Sequence, residues 1–364
     1  MNFARKLYWT IKLYDLMQKK VEISCEKARK TLDEFLPNRC LPPSFSQVVE
    51  YNPQVDLMIV VPVYNVAPFL EQCIQSILNQ KTSFSYIAVF VDDGSTDGSS
   101  DILDKYEGQE AITIIHQENC GCSGARNAGL RKILGDYICF LDSDDFMAEN
   151  AVEIMMSAAR KNDADIVEGS HYLYGPNGEC KLVAHSEMYG NTAKENLFGY
   201  PWGKVIRSSF FCNLCFPDGY LFEDTIMGSI LYPECERIVT LSDPIWFYRQ
   251  NPSGITQTAG EKRETVDTFW LTKYCMEEAD RRGGLDSSRD CLRFYNKLRL
   301  NYLRLRSMPL EIKQSAFVLS CELYQQYFAQ TAKYEEGKYK WLKKCLSECS
   351  YAAYENLMQR WTSL

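Results

Sequence analysis

Short apolar runs that end in acidic clusters constrain the fold of this chain more than any other feature of its sequence. The run 87–91 leads into VDDGSTDG at Val91–Gly98, and the run 137–141 leads into FLDSDD at Phe140–Asp145. Apolar runs of this length, bounded by turn-forming residues, are typical of buried strands. Because ligands bind at the carboxyl ends of strands in open α/β sheets, both clusters are expected at a ligand site.

Strand and helix patterns alternate between residues 57 and 167. Leu57–Val63 predicts the first strand, and Pro68 opens a helical pattern. Further strands are predicted at 87–91, 111–116 and 137–141. A glycine-punctuated stretch from Gly121 predicts a turn and a helix that ends near Leu134. This alternation predicts parallel strands joined by right-handed crossovers.

The pattern changes after residue 170. Tyr172–Val183 contains a Gly-Pro-Asn-Gly turn and predicts a hairpin, whereas 239–241 and 245–249 predict two short strands around Pro244. Beyond Glu261 the chain reads as helical. The predicted fold class is therefore α/β, with a mixed, Rossmann-like sheet flanked by helices, an N-terminal helical extension and a C-terminal helical appendage.

The distribution of charge excludes one class of partner. The net charge is −8, but residues 41–260 carry 13 Lys and Arg against 29 Asp and Glu, a net charge of −16. Residues 1–40 and 261–364 each carry +4. Nucleic-acid partners require a basic track, so no nucleic acid is expected. The basic flanks are compatible with an anionic membrane surface.

The cysteines and the apolar stretches indicate the compartment. The fifteen cysteines are odd in number, several fall inside predicted strands or helices, and only three histidines accompany them. Reduced thiols fit this pattern better than disulfides or a zinc site. The N-terminal residues do not resemble a secretory signal, and no apolar stretch has the length of a membrane span. We expect a cytoplasmic protein, peripheral on the inner face of the cell membrane if the basic flanks bind lipid.

Asp142-Ser143-Asp144 forms a DxD pattern in the second acidic cluster. In an extended chain the carboxylates of Asp142 and Asp144 point the same way and can share one hard divalent ion, which is suited to clamping a diphosphate. The alternative is an acidic turn on a solvated loop. Two acidic clusters at two predicted strand ends favour a site for a nucleotide and a metal.

The motifs taken together resemble the family 2 glycosyltransferases, which are inverting enzymes of GT-A fold that use nucleotide-sugar donors. The matching segments are VVPVYN at Val60–Asn65, VDDGSTDG at Val91–Gly98, ENCGCSGARNAG at Glu118–Gly129, GDYICFLDSDD at Gly135–Asp145, PWGKVIR at 201–207 and FPDGYLFED at 216–224. The resemblance covers roughly residues 57–255. It implies transfer of a hexose from a nucleoside-diphosphate sugar, UDP-linked, to a glycan or lipid-linked glycan in polysaccharide biosynthesis.

The resemblance implies a role for each matching residue. The nucleotide-sugar site would comprise Pro62, Tyr64, Asn65, Asp93, Gly124, Arg126, Asn127, Asp142 and Ser143. Asp144, with Asp142, would bind Mn²⁺ or Mg²⁺. Asp224 is the matching general base, with Glu223 as its acidic neighbour. Trp202 and Lys204 would lie on the acceptor side.

Several of these residues have a structural interpretation as well. Tyr64 and Trp202 could pack in the core, and Asp92 could be a turn-former. Arg126 could form a plain salt bridge to the acidic cluster. An acidic pair at residues 223–224 could simply compensate the dipole of the helix that follows it.

The motifs place the catalytic domain at 57–258, between the N-terminal extension at 1–56 and the helical region at 259–364. In the extension, Arg5, Lys12 and Lys19 recur every seven residues and would form a basic stripe on a helix. This stripe predicts either a membrane-surface helix or a helix packed on the catalytic domain. The C-terminal helices would dock on the core, form a homodimer or present lysines to lipid.

Three other functions stay open at this point. A nucleotidyltransferase would share the sheet and the metal, but it needs a basic, glycine-rich loop after its first strand, where this chain has Val63–Pro68 without a basic residue. A non-catalytic sugar-binding or scaffold protein would lack the acidic site residues, which are present here. An assembly partner would function mainly through its helical tail.

Overall fold

The structure is a computed structural model that describes residues 11–251, 254, 260, 262–283, 285, 288–330 and 336–362. The chain divides into two units, one of residues 43–254 and one of residues 1–42 with 255–364. The sequence patterns placed the divisions after residues 56 and 258. The first division differs because β1 (Glu50–Val63) begins upstream of the apolar run that predicted it, with Glu50 paired to Lys132.

The first half of the sheet is parallel. Its strands are β1, β2 (Tyr86–Asp92), β3 (Ile112–His116) and β4 (Lys132–Phe140), in the order β3-β2-β1-β4. The buried apolar residues of these strands form the centre of the core, as the continuous apolar runs predict. The expected parallel strand–helix alternation is confirmed for this half.

The second half of the sheet mixes strand directions. Its strands are β5 (Phe146–Met147), β6 (Ile166–Tyr174), β7 (Cys180–Val183), β8 (Met188–Tyr189), β9 (Lys204–Arg207) and β10 (Ile238–Arg249). The strand β9 lies antiparallel between β4 and β6, β10 is parallel to β6, and β5 is antiparallel to β10. The predicted mixed α/β sheet is confirmed.

Two local predictions in this region differ from the structure. The strands predicted around Pro244 are one strand, β10, whose pairing with β6 shifts register at Pro244. The predicted helix end near Leu134 is wrong, because the helix that begins at Gly121 stops at Leu130 and β4 starts at Lys132. Pairing with β1 draws these residues into the sheet, and a Cβ at Gly135 would lie 2.5 Å from the backbone nitrogen of Met58. The hairpin predicted at Tyr172–Val183 is confirmed as β6–β7.

Helices flank the sheet of the first unit. They are α3 (Ala67–Leu78), α4 (Ser99–Asp104), α5 (Gly121–Leu130), α6 (Ala151–Lys161), α7 (Gly190–Asn196) and the short α8 (Tyr232–Glu234). Pro68 occupies the first turn of α3, where its missing N–H costs nothing. The buried face of α3, which includes Leu70 and Ile74, packs on the core.

The second unit is helical. It contains α1 (residues 11–17), α2 (Cys25–Phe35), α9 (Asp267–Gly283), α10 (Arg289–Leu305), α11 (Leu310–Tyr327), α12 (Gly337–Ser347) and α13 (Tyr351–Thr362). Ser24 caps α2 by accepting from the N–H of Lys27, and Arg29 pairs with Glu322 on α11. The N-terminal segment therefore packs on the C-terminal helices. Arg5 of the expected basic stripe lies outside the described residues.

Two further findings bear on the sequence analysis. None of the helices within the described residues is long and apolar enough to cross a membrane. Each of the fifteen cysteines is a free thiol, as their odd number and the placement of several of them inside predicted strands or helices led us to expect.

Candidate functional site

The carboxyl ends of β1, β2 and β4 meet at one edge of the sheet. Val63 of β1 is paired with Asp92 of β2, and the N–H of Leu141 donates to the carbonyl of Val60 at 3.0 Å. The two acidic clusters therefore lie on either side of the end of β1. This edge is the one at which open α/β sheets bind ligands.

The end of β1 presents an exposed tyrosine on a constrained loop. Tyr64 is 50% exposed and does not pack in the core, while Pro62 is partly buried in the strand. Asn65 has a left-handed φ of +52°, which is uncommon for a residue other than glycine. Its Oδ1 accepts from the N–H of Thr96 at 2.8 Å, and its own N–H donates to Ser95 Oγ at 3.1 Å. These bonds join the loop to the first acidic cluster.

Asp92 is the turn-forming residue of the first acidic cluster. Its carboxylate accepts from the N–H of Ser95 at 3.0 Å and from Ser100 Oγ at 2.5 Å, and it contacts His116 Nδ1 at 2.8 Å. Burial raises the pKa of Asp92, but these hydrogen bonds outweigh burial and lower it below its usual range. The carboxylate of Asp92 is therefore bonded by groups of the protein itself.

Both hydrogen bonds that the carboxylate of Asp93 accepts go to one of its two oxygens. Its side chain is buried, and Oδ1 accepts from Gln117 Nε2 at 2.6 Å and from the N–H of Cys120 at 2.8 Å. Its second oxygen accepts no hydrogen bond from the described residues. A fixed carboxylate with one open oxygen can accept an N–H from a nucleobase.

Arg126 on α5 connects two carboxylates that are distant in sequence. Its Nη2 donates to Asp142 Oδ1 at 2.8 Å, and its Nη1 donates to Glu223 Oε1 at 2.5 Å. The guanidinium is buried and lies 5.3 Å from the ring centroid of Phe216. The salt-bridge interpretation of Arg126 is confirmed, and it places the cation inside the site.

Asn127 and Gly124 shape the site from the same helix. The amide of Asn127 donates to the Phe216 carbonyl and to Asp218 Oδ1, both at 2.8 Å, and accepts from the Phe216 N–H at 2.9 Å. These partners lie in the segment that leads to residues 223–224, so Asn127 holds that segment in place. A Cβ at Gly124 would lie 2.4 Å from Cys120 Cβ, so the helix requires a glycine there for close approach.

The carboxylates of Asp142 and Asp144 in the second acidic cluster have different hydrogen-bond partners. Asp142 is bound by Arg126, Asp144 Oδ2 accepts from Asn251 Nδ2 at 3.1 Å, and Ser143 is buried between them. Burial, with the charge of Asp142, raises the pKa of Asp144. The ionised Asp144 therefore lacks full compensation within the described protein groups.

Asp145 is a structural residue. It is buried, and its carboxylate accepts from Trp246 Nε1 at 3.1 Å and from the N–H of Arg249 at 2.7 Å. Burial raises its pKa well above the usual range, and the charges of Asp144 and Asp142 add to this. Asp145 thus anchors the end of β10 to the DxD segment.

The DxD carboxylates fit a divalent cation as a two-carboxylate site. The raised pKa of Asp144 reflects a buried negative charge that a cation would compensate. Within the described residues, no group of three or more His, Cys, Asp and Glu side chains is arranged to hold a metal. Mg²⁺ and similar ions are commonly held by one or two carboxylates together with water and substrate phosphates.

The acidic pair at residues 223–224 follows a strained position. Phe222 has a φ of +70°, and after the pair the chain forms a π-helical turn at Met227–Leu231, a feature found often at functional sites. Glu223 is held by Arg126. The carboxylate of Asp224 accepts no hydrogen bond from the part of the chain that the structure describes, and it is partly exposed.

The two expected acceptor-side residues lie in the interior. Trp202 is buried and stacks on Tyr200 with a centroid distance of 3.7 Å. Lys204 is completely buried; its Nζ lies 2.8 Å from Glu168 Oε1 and donates to the carbonyl of Tyr200 at 2.5 Å. A direct contact between Lys204 and an acceptor is not supported, because its ammonium group is enclosed by protein.

Sequence reasoning missed three residues that the structure brings to the site. Arg249 donates through Nε to the carbonyl of Asp144 at 2.7 Å, Asn251 binds the Asp144 carboxylate, and Asp218 is held by Asn127. Arg249 and Asn251 lie more than a hundred residues after Asp144. No local pattern signals such partners, although polar residues directly after a predicted strand are candidates for a strand-end site.

Comparison with known proteins identifies a family and several relatives of this chain. Residues 58–212 match the family model described as glycosyl transferase family 2. The glycosyltransferase GlyG of Streptococcus pneumoniae serotype 4 is 30% identical over 235 residues, which cover 58% of this chain and 78% of GlyG. EpsJ of Bacillus subtilis, an uncharacterized glycosyltransferase, is 33% identical over 215 residues, which cover 55% of this chain but only 62% of EpsJ.

One solved structure has a similar fold. Residues 1–349 of TarS from S. aureus, in complex with UDP-GlcNAc, align with a TM-score of 0.67 at 18% identity. The alignment covers 85% of this chain and 92% of that structure. At this identity the likeness is one of fold.

Proposed function

The chain belongs to glycosyltransferase family 2, and we propose that it transfers a hexose from a nucleoside-diphosphate sugar, UDP-linked, to a glycan or lipid-linked glycan with inversion at the anomeric carbon. The observation that carries this proposal is the contact of Arg126 with both Asp142 and Glu223. It joins the DxD segment to the acidic pair, so that the donor's diphosphate and the acceptor's hydroxyl can meet in one site. Family membership excludes the nucleotidyltransferase interpretation.

The donor would lie along the edge formed by β1, β2 and β4. The open oxygen of Asp93 would accept an N–H of the nucleobase, and Tyr64, which is half-exposed, would pack on the base. Asn65 would contribute by holding the loop, because its amide is bound to Thr96. Gly124 and Asn127 would shape the pocket through the backbone rather than contact the donor.

The metal-binding part of the proposal rests on the DxD carboxylates. Asp144, with Asp142, would hold Mn²⁺ or Mg²⁺, which when bound supplies positive charge to the diphosphate leaving group. Arg126 keeps one oxygen of Asp142 oriented, and Asn251 does the same for Asp144. Arg249 fixes the backbone of this segment through the carbonyl of Asp144.

We assign the role of general base in the transfer step to Asp224. The acceptor hydroxyl oxygen forms a bond to the anomeric carbon while the bond to the diphosphate breaks, and the hydroxyl proton passes to a carboxylate. Glu223 is already bound to Arg126, whereas Asp224 is free of hydrogen bonds from the described residues. A carboxylate that is not engaged is better placed to take a proton, so Asp224 is the base and Glu223 orients the site.

Polysaccharide biosynthesis at the inner face of the cell membrane is the setting that we propose. Helix α12 carries Lys338, Lys340, Lys343 and Lys344 and no acidic residue. The ammonium group of Lys338 lies 4.3 Å from the centroid of the Trp361 ring, and that of Lys344 lies 4.1 Å from the centroid of the Tyr14 ring. Aromatic and basic side chains together suit an anionic lipid surface. A homodimer through these helices is the alternative, for which analytical ultracentrifugation is the test.

A donor screen tests the proposed function. Purified protein is incubated with UDP- and GDP-linked hexoses and N-acetylhexosamines, with Mn²⁺ or Mg²⁺, and release of the nucleoside diphosphate is measured. We expect release from a UDP-linked donor that requires the metal and is abolished by EDTA. Release in EDTA-treated protein at the full rate would contradict the metal assignment, and no release from any donor would contradict the function.

A further inference from the structure

Cysteines from three helices lie close together in the helical unit. Cys25 begins α2, Cys321 lies on α11, and Cys345 and Cys349 lie in the last turn of α12 and just beyond it. Cys321 and Cys345 are buried, whereas Cys25 and Cys349 are partly exposed. Burial raises the pKa of the Cys321 thiol well above its usual range, and the neighbouring sulfurs of Cys349, Cys345 and Cys25 add to the rise.

Within this group, the thiols of Cys321 and Cys349 are hydrogen-bonded to each other. The S–H of Cys321 donates and the sulfur of Cys349 accepts, because the bond contributes to the raised pKa of Cys321 and lowers the pKa of Cys349. Two sulfurs held in contact can be joined with little movement of the backbone, which is the geometric condition for a disulfide.

The turn that carries Cys349 is a Schellman motif at the end of α12. The N–H of Ser350 donates to the carbonyl of Cys345 at 3.0 Å. The N–H of Cys349 donates to the carbonyl of Leu346 at 3.3 Å. Cys349 therefore occupies the position at which helices usually have glycine, and its φ is +49°. Because a Cβ costs free energy in this conformation, the chain keeps a thiol where a glycine would be less strained.

Cys349 is the more reactive thiol of the pair. The hydrogen bond from Cys321 lowers the pKa of Cys349 below its usual value; burial opposes this effect and the charge of Lys20 adds to it. Lys20 is held nearby, with its Nζ 3.5 Å from Glu348 Oε2. The thiolate is the nucleophile in thiol–disulfide exchange, so a lowered pKa and partial exposure favour attack by Cys349 on a small disulfide.

We propose that Cys321 and Cys349 form an oxidisable dithiol, which a low-molecular-weight disulfide converts into an intramolecular disulfide bond. The Cys349 thiolate attacks one sulfur of the small disulfide, so that a mixed disulfide forms and one small thiolate leaves. The sulfur of Cys321 then attacks that of Cys349, and the second small thiol leaves with the proton of Cys321. The two cysteines lose two electrons, and the small disulfide gains them. Reversible pairs of this kind are the usual disulfides where thiols are kept reduced.

The disulfide would tie α11 to the turn that holds the N-terminal segment. The N–H of Val21 donates to the carbonyl of Cys349 at 3.2 Å. Ser350 Oγ donates to the carbonyls of Leu16 and Lys19 at 2.9 and 3.1 Å. Oxidation should therefore fix residues 16–21 on the helices against which they already pack. This inference is independent of the proposed function, because both thiols belong to the helical unit and the test needs no sugar donor.

Peptide mapping by mass spectrometry under non-reducing conditions tests the dithiol. The reduced, folded full chain is incubated with oxidised glutathione, the remaining free thiols are alkylated, and the disulfide-linked peptides are sequenced. We expect a link between Cys321 and Cys349 that dithiothreitol reverses. Its yield should fall at least about tenfold in Cys349→Gly, which suits the left-handed turn and should fold. Cys40→Ser is the matched control, since Cys40 is an exposed thiol of the same unit, and it should keep the yield of the wild type.

Several results would overturn the proposal. They are the absence of a link in the folded wild type, a mixed disulfide with glutathione that persists at Cys349, and a link from Cys349 to Cys25 or Cys345 instead of Cys321. A link that forms only after unfolding in urea would also overturn it, because the folded structure would then not bring the sulfurs together. Circular dichroism verifies that each variant is folded.

Discussion

A 2.8 Å hydrogen bond joins Arg126 Nη2 to Asp142 Oδ1, and the side chain of Arg126 is almost completely buried. The same guanidinium donates to Glu223. One cation therefore holds together two acidic segments that repel each other, and it lies where the donor and the acceptor would meet.

Arg126→Ala should destabilise the fold by about 3 kcal/mol, because it leaves two largely buried carboxylates without their partner. The free energy of unfolding in urea measures this loss. Arg160→Ala is the matched control, since Arg160 also pairs with two carboxylates, Asp56 and Asp136, but is 41% exposed. It should cost less than about 1 kcal/mol. Equal losses of unfolding free energy would show that the ion pairs of Arg126 contribute no more than those of an exposed arginine.

Asp144→Asn should abolish the response to divalent cations while the fold is kept. The amide has the size of the carboxylate but not its charge, so it cannot compensate a cation. We expect Mn²⁺ to raise the Tm of the wild type and not that of the variant. Turnover should fall at least ~100-fold, as on removal of a group that stabilises charge in the transition state. An equal rise in Tm for both proteins would place the cation elsewhere.

Asp224→Asn should abolish transfer to the acceptor while the binding of the donor survives. The variant keeps the size of the side chain and cannot accept the hydroxyl proton. Slow hydrolysis of the donor should persist, and calorimetry should give a donor affinity near that of the wild type. Glu223→Gln is the comparison, and it should retain more transfer than Asp224→Asn. The reverse order would assign the base to Glu223.

The chain has three histidines, so an NMR titration can resolve them individually. The hydrogen bond to Asp92 raises the pKa of His116, against the opposing effect of burial, and Asp104 adds to the rise. Burial lowers the pKa of His171 to about 4. We expect one resonance to titrate above the usual value of about 6.5 and one near pH 4. Assignment by His116→Gln and His171→Phe checks both.

These two shifts have opposite effects on stability. The raised pKa of His116 stabilises the fold below about pH 6.5, and this contribution is lost as the pH rises through the raised value. The lowered pKa of His171 destabilises the fold as the pH falls from about 6.5 toward 4, because the unfolded chain binds the proton first. Chemical denaturation across pH 4–8 measures both effects, and a flat difference between wild type and His116→Gln would contradict the first.

Reversing the charge of α12 should release the protein from anionic vesicles. Lys338→Glu with Lys340→Glu changes two exposed lysines, and each cation contributes about 1 kcal/mol near an anionic surface. We expect vesicle-bound protein to fall about tenfold or more in sedimentation. The control, Lys132→Glu with Lys181→Glu, makes the same change in charge in the other unit. Equal sedimentation of all three proteins would show that α12 does not bind the vesicles and that its lysines are simply solvated.

The strands at the candidate site were predictable because their signals are local. Leu57–Val63, 87–91 and 137–141 are apolar runs bounded by turn residues; the first two lie within β1 and β2, and the third lies in β4 up to Phe140, where the strand ends. The acidic clusters follow these strands directly, so their place at the edge of the sheet follows from strand direction alone. The DxD pattern was visible for the same reason.

The partners of these residues could be decided only by the tertiary structure. Asp142 and Glu223 are brought together by Arg126, and Arg249 reaches the carbonyl of Asp144 from another strand. Lys204, which the motif placed near the acceptor, is buried against Glu168. Such contacts depend on the order of strands in the sheet, which no local pattern encodes.

The sequence by itself therefore determined the four parallel strands of the first half of the sheet and the carboxylates that stand at the ends of β2 and β4. Tertiary structure decided where α5 gives way to β4, since pairing with β1 outweighs the helical preference of residues 131–134. It also decided that Phe146, Tyr172 and Phe247 stand side by side. The physical reason is the same in each case: backbone hydrogen bonds between strands act over any separation in sequence, whereas propensities act over a few residues.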